Sequence, residues 1–219
     1  MGAFNEDRQG QENSGDKELN TSGWDAITAE FERIYPGQTK PKHYATILPM
    51  RIGGTNVLQG ISIYDGGDYW HFVTYGLTEL YDKESDDAEY SGFGMEFTFK
   101  LKKYDYENEQ GELNNIMNIL NWLANMTATK GEIFQNCEYI YTGQTEGIDA
   151  YQKSNLTGFI CINDPSVNTL HTENGIVEFI EFIGMTDAEL RSVSTHESVL
   201  GLYEKLGTDV TDYHRESVV

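Results

Sequence analysis

Five histidines and two cysteines are the residues of this 219-residue chain best suited to metal binding or nucleophilic chemistry. His43, His71, His171, His196 and His214 form no His-Glu-x-x-His element and no Cys/His cluster, so the ligand spacing of a zinc site is missing. Cys137 and Cys161 lie in or beside apolar strand-like segments. Neither has a basic sequence neighbour to lower its pKa, and both read as buried, inert thiols. Carboxylates number 36, too many for one pair to stand out as acid and base. No P-loop and no Gly-x-Ser-x-Gly elbow occurs. Gly92-Phe93-Gly94 lacks the third glycine of a dinucleotide fingerprint and sits inside a strand pattern rather than at a strand-to-helix turn. The residues therefore assign no catalytic group, no metal ligand and no cofactor, and the expectation is a protein that is not an enzyme.

The elements that would hold a site can be read in order. Residues 1–22 are polar and acidic with no apolar period, and read as a flexible tail before a domain over 23–215. Trp24, Ile27, Phe31 and Ile34 share one helix face, with Thr21 or Ser22 as cap and Tyr35-Pro36-Gly37 as terminator. Strands are predicted over 43–48 and 57–64, separated by Gly53-Gly54. A third covers 69–75, after the turn Asp65-Gly66-Gly67-Asp68. Over 93–101, Phe93, Met95, Phe97, Phe99 and Leu101 alternate with Gly94, Glu96, Thr98 and Lys100, which predicts a strand with one buried and one polar face. Leu113, Ile116, Met117, Leu120, Leu123 and Ala124 recur at helical spacing, and Trp122 on that helix reads as core, as do Trp24, Trp70 and Phe93. Further strands are predicted over 133–141, 156–162 and 176–183, and a turn at Asp164-Pro165. Thr186-Asp187-Ala188-Glu189 is a capping box, and a last helix runs from His196 to Leu206 and stops at Gly207. Strands and helices without regular alternation predict an α+β fold with a mixed, largely antiparallel sheet flanked by helices.

Composition limits the partners. The formal charge is −21, which repels nucleic acid and anionic lipid and steers a basic protein partner inward. The basic groups Lys40, Lys42 and Arg51, and Lys100, Lys102 and Lys103, are small against that charge. The N-terminal residues hold no apolar export segment, and no run is long enough to span a bilayer. Two thiols suit a reducing compartment, so the expected location is cytoplasmic.

The two aromatic, glycine-punctuated segments 68–81 and 91–101 resemble the central signature of the Suppressor-of-fused (Sufu) family. Similar stretches are Trp24-Asp25-Ala26-Ile27, Pro41-Lys42-His43-Tyr44, Thr172-Glu173-Asn174-Gly175-Ile176-Val177-Glu178-Phe179, 184–190 and 206–215, so about 190 residues are covered. The resemblance implies a non-catalytic, Sufu-like protein-binding domain. Animal members sequester a transcription factor by gripping an extended segment in a groove. Short bacterial members resemble immunity proteins that neutralise a cognate toxin, often a nuclease, and the form of this chain is closer to that bacterial, single-domain type. The leading expectation is thus an immunity protein for a toxin with a basic surface, and the alternative is a scaffold that sequesters a regulatory protein. Carried over by the resemblance, Glu79 and Glu96 line the groove, with Tyr69, Val177 and Phe179 as further candidate partner-binding residues. On the residues alone, Glu79 facing water and Glu96 pairing with Lys100 or Lys102 stays open beside that reading.

Overall fold

The computed structural model describes residues 19–45 and 56–219; most of the expected tail and the Gly53-Gly54 connection lie outside the described residues. Helix α1 (Ser22–Ile34) buries Ile27 and Phe31, and the Thr21 side chain makes no capping bond to its first turn. Instead the Asn20 carboxamide oxygen accepts the Ser22 N–H at 3.0 Å. Strands β1 (Lys42–Ala45), β2 (Gly60–Asp65), β3 (Tyr69–Tyr75) and β4 (Tyr90–Lys102) form an antiparallel run. The β2–β3 turn is the one its Asp-Gly-Gly-Asp sequence predicts, with Gly67 at φ +92° and its N–H bonded to Asp65 Oδ1 at 2.8 Å.

Helix α2 (Glu109–Lys130) is capped by Asn108, whose side chain accepts the Gly111 N–H, and ends at Gly131 in the left-handed region. After it come β5 (Glu138–Ile140), β6 (Leu156–Asn163), β7 (Leu170–Thr172) and β8 (Gly175–Thr186). Helix α3 (Asp187–Ser192) carries the predicted Thr186/Glu189 capping box, and α4 (His196–Leu206) ends at Gly207. The sheet order is β1-β2-β3-β4-β8-β6-β5, with β7 beside β8, and β4–β8 is its parallel strand pair. This is the mixed, largely antiparallel sheet flanked by helices that the sequence predicts.

Period-two alternation sorts the core. Met95, Phe97, Phe99 and Leu101 of β4, with Ile180 and Phe182 of β8, face Leu113, Ile116, Leu120 and Leu123 of α2. Phe97 lies edge-on to Phe134 at 5.6 Å and to Phe182 at 5.0 Å. On the other face, Val177 and Phe179 pack with Ile27 and Phe31 beneath α1. Ile160, Ile183 and Met185 pack there with Leu190, Val199 and Leu202 of α3 and α4.

Three expectations are corrected. The face of β4 that alternates as polar is not solvent-facing: Glu96, Thr98 and Lys100 are as buried as their apolar neighbours. The predicted strand over 133–141 shrinks to three residues because Phe134 is drawn into the α2-side core and the chain before Glu138 follows it. Phe93 (38% exposed) and Trp122 (49%) are surface residues. Phe93 sits where β4 and β8 lose register between Tyr90 and Met95, flanked by Gly92 and Gly94 at positive φ, so it leaves the alternation.

Phe97→Ala is expected to destabilise the domain by about 3–5 kcal/mol, and Trp122→Ala by about 0.5 kcal/mol or less. Urea unfolding followed by circular dichroism measures both.

Candidate functional site

The buried polar face of β4 is a connected set of ionisable groups. Lys100 Nζ lies 2.9 Å from Asp164 Oδ1, 3.0 Å from Glu181 Oε2 and 2.7 Å from Asp209 Oδ2. Asp164 Oδ2 also accepts from Thr98 Oγ1 at 2.8 Å and meets His71 Nε2 at 2.9 Å. His71 Nδ1 is 2.7 Å from the Tyr35 hydroxyl. Burial holds the Tyr35 phenol far above its ordinary value, so it donates to Nδ1, and a neutral His71 donates from Nε2 to Asp164. Asp164, Glu181 and Asp209 converge as a metal's ligands would, but the Lys100 ammonium bonds all three and supplies the cation. Burial alone would neutralise Lys100, and the surrounding carboxylates more than reverse this. Burial and the Asp164 charge push the Glu181 carboxyl well up, and its Oε1 has no hydrogen-bond partner among the described residues. The set is buried at its centre, with His71, Asp164 and Glu181 at zero side-chain exposure, and meets the surface at Asp209, whose side chain is 22% exposed. It joins sheet, turn and C-terminal segment.

The sequence-assigned candidates do not share one surface. The Glu96 carboxylate is buried and accepts four bonds: Thr74 Oγ1 at 2.6 Å, Gly76 N–H at 2.9 Å, Thr78 N–H at 2.9 Å and Thr78 Oγ1 at 2.8 Å. It pairs with neither Lys100 nor Lys102. Burial raises its pKa against those bonds. Glu79 organises the next loop. It accepts the N–H groups of Glu84 (2.6 Å), Ser85 (2.5 Å) and Gly92 (3.1 Å), and meets Lys83 Nζ at 3.1 Å. Partial burial raises its pKa, and those bonds outweigh that and hold it below the ordinary range. A Cβ at Gly92 would stand 2.6 Å from Leu77 O, because the backbone after β3 passes close to it. Tyr69, Val177 and Phe179 do come together, in the cluster under α1. Val177 and Phe179 are buried, and the Tyr69 hydroxyl lies 3.3 Å from that of Tyr35.

The open surface lies at the other end of the sheet. β5 is the terminal strand of the sheet order, and Tyr139 (40% exposed) and Tyr141 (36%) stand in and beside it. A hollow of about 410 Å³ runs beside it, lined by Ile133, Phe134, Glu138, Tyr139 and His196 among others. Ile133, Phe134 and His196 continue into a second hollow of about 680 Å³ over Tyr90, Phe93, Met95 and Glu178. Ile133 is 43% exposed and Phe93 38%. Charged residues on these walls are acidic: Asp87, Glu132, Glu138 and Glu178. Sequence reasoning missed this surface because an edge is a property of strand order. The one legible signal was a strand-like run of exposed-size aromatics, Tyr139 and Tyr141. The thiols are free: Cys161 is buried on the α2 side and Cys137 packs partly against the α4 side.

Fold and site together define an α+β domain with helices on both faces of a mixed sheet, a buried polar interior and an exposed aromatic edge. The chain belongs to the Suppressor-of-fused family, whose family description, Suppressor of fused protein (SUFU), it matches over residues 54–216. It is 26% identical over 189 residues to the Suppressor of fused homologs of Homo sapiens and Mus musculus, covering 78% of this chain and 37% of either relative. The chain thus spans well under half the length of these relatives. It superposes with a TM-score of 0.78 and 25% identity on a chain of the Sufu–Fu complex, over 91% of this chain and 93% of that one. Drosophila Suppressor of Fused gives the same score and identity over 94% of this chain and 54% of that one. A SUFU homolog from Neisseria gonorrhoeae shares the fold, with a TM-score of 0.57 and 16% identity over 89% of this chain and 96% of that one. Membership of this family supports a non-enzymatic role. No helix among the described residues is long and apolar enough to cross a membrane.

Lys100→Met leaves Asp164 and Glu181 buried, and Asp209 partly buried, without their cation, and is expected to cost about 3–5 kcal/mol in urea unfolding. pH gives a second check. Burial holds His71 below its ordinary 6.5, so below that pH the unfolded chain binds more protons and His71 removes stability as pH falls. Glu181, raised above its ordinary 4.5, pulls the other way. The expected result is that His71→Gln loses less of its urea midpoint than the parent chain between about pH 7 and about pH 5.

Proposed function

We propose that this domain is a non-enzymatic binder that holds a protein partner by an extended segment laid along the free edge of β5. The observation that carries this reading is the combination, in one place, of an edge strand and a continuous aromatic hollow with acidic walls. An edge strand presents unpaired backbone N–H and C=O groups, and an adjoining groove takes alternate side chains of an added strand. Ile133 and Tyr139 fit the role of apolar anchors, and Glu132, Glu138 and Glu178 favour a segment carrying basic residues. A similar chain occurs in the Sufu–Fu complex, which supports protein binding as the general activity. In this account Glu79 and Glu96 act on binding through the loop they hold, and Tyr69, Val177 and Phe179 through the seating of α1. Sequestration of a partner is the function that follows.

Neutralisation of a toxin is the second reading. It is favoured by the charge of −21, which would speed encounter with a basic nuclease. Both readings use the same surface and differ in what the partner does when free.

The test selects peptides by display against the whole chain and maps the bound peptide by amide hydrogen exchange. Protection is expected over 137–141, with affinity falling about tenfold or more in Tyr139→Asp and in Ile133→Asp. Protection confined to other segments, or unchanged affinity in both folded variants, would contradict the edge-strand reading.

A further inference from the structure

A separate cavity, of about 290 Å³, lies at the N-terminal end of α2 and is distant in composition from the β5 surface. Four of its lining residues are tyrosines, Tyr104, Tyr106, Tyr151 and Tyr213. Tyr104 and Tyr106 stand nearly perpendicular at 5.8 Å, and Tyr106 and Tyr213 are 6.3 Å apart at 66°. Four more are carboxylates: Asp105, Glu107, Glu112 and Asp149. Against them stand Lys153, whose ammonium already lies 5.3 Å from the Tyr151 ring, and His214, whose ring meets that of Tyr104 at 4.3 Å, while Lys102 Nζ lies 5.7 Å from the Tyr104 ring. Tyrosine faces carry negative quadrupole charge, so rings and acids together attract a cation.

The inner wall is unfinished. The Tyr213 hydroxyl is buried and finds no well-formed hydrogen bond among the described residues, the Asn115 side chain beside it donating to Ile148 O at 2.5 Å. Glu112 is 3% exposed and, among the described residues, receives a single hydrogen bond, from the Ala150 N–H at 3.0 Å. Asp149, by contrast, is occupied by the N–H groups of Tyr151, Lys153 and Ser154. A buried hydroxyl without a partner and a buried carboxylate with one bond are costly unless something completes them. Burial and the Asp149 charge hold the Glu112 carboxyl above its ordinary range.

We propose that this cavity binds an organic ammonium ion bearing at least one N–H. The ammonium group donates to Glu112 and to the Tyr213 oxygen, and its alkyl part lies against Tyr104 and Tyr106. The same chemistry is offered by a free alkylamine and by a lysine side chain of another protein. Nucleotides and other anions are excluded by the acids around the opening.

The experiment titrates the whole chain with n-butylammonium chloride, with sodium chloride as an ionic control, and follows amide shifts by NMR. The expected result is saturable shifts in 104–107, 112, 149–154 and 213, absent with sodium. Glu112→Gln and Tyr213→Phe, which preserve shape and the Ala150 bond, are expected to weaken binding about tenfold each. Non-saturating shifts equal to those from sodium would overturn the proposal, as would variants whose curves superimpose on the parent's. Repeating the titration with Nα-acetyl-lysine methylamide separates the sources. Tighter binding than n-butylammonium identifies a protein lysine, and equal or weaker binding identifies a free amine.

Discussion

The structure depends on the burial of one ammonium group. Lys100 stands on a central strand at 1% exposure, where an unpaired charge would not survive. Its three carboxylate partners come from distant stretches of chain: Asp164 in the turn after β6, Glu181 on β8 and Asp209 beyond α4. Through Asp164 the same set reaches His71 on β3 and Tyr35 at the end of α1. A single charge requirement thus aligns the parallel β4–β8 pair, positions the turn at 164 and ties down the segment after α4. Desolvation offsets much of the Coulomb gain at such a centre, so its weight lies in the cost of leaving any one partner buried and unpaired.

That constraint also decides what was legible in the sequence. Local signals read well where local chemistry controls the outcome. The Asp65-Gly66-Gly67-Asp68 turn places β3 at Tyr69–Tyr75, and the Thr186/Glu189 box and Gly207 bound the last two helices. The alternation of β4 was equally clear, but its meaning was not. Glu96, Thr98 and Lys100 look like a solvent face, since their partners stand up to 109 residues away and form no local pattern. The short β5 was hidden for a related reason. An apolar run over 133–141 reads as one strand until Phe134 is seen between Phe97 and Phe182.

Family resemblance carried the fold further than the site. The segments that signal the Sufu family, around Glu79, Glu96, Tyr69 and Phe179, are those whose side chains hold loops and seat α1. The β5 surface, made of an edge and its neighbouring loops, leaves no comparable mark in one sequence. Rigid interior and open edge are complementary: an edge strand can accept a partner segment only if the sheet behind it keeps its register.

Native-state hydrogen exchange on the free protein, across a urea series, tests this division most directly. Amides of β4 and β8 flanking Lys100 and Glu181 are expected to exchange only through global unfolding, with the full denaturant dependence, while those of β5 exchange through local opening. Exchange of the Glu96–Lys100 amides by local, urea-independent opening, with β5 as protected as the centre, would contradict it.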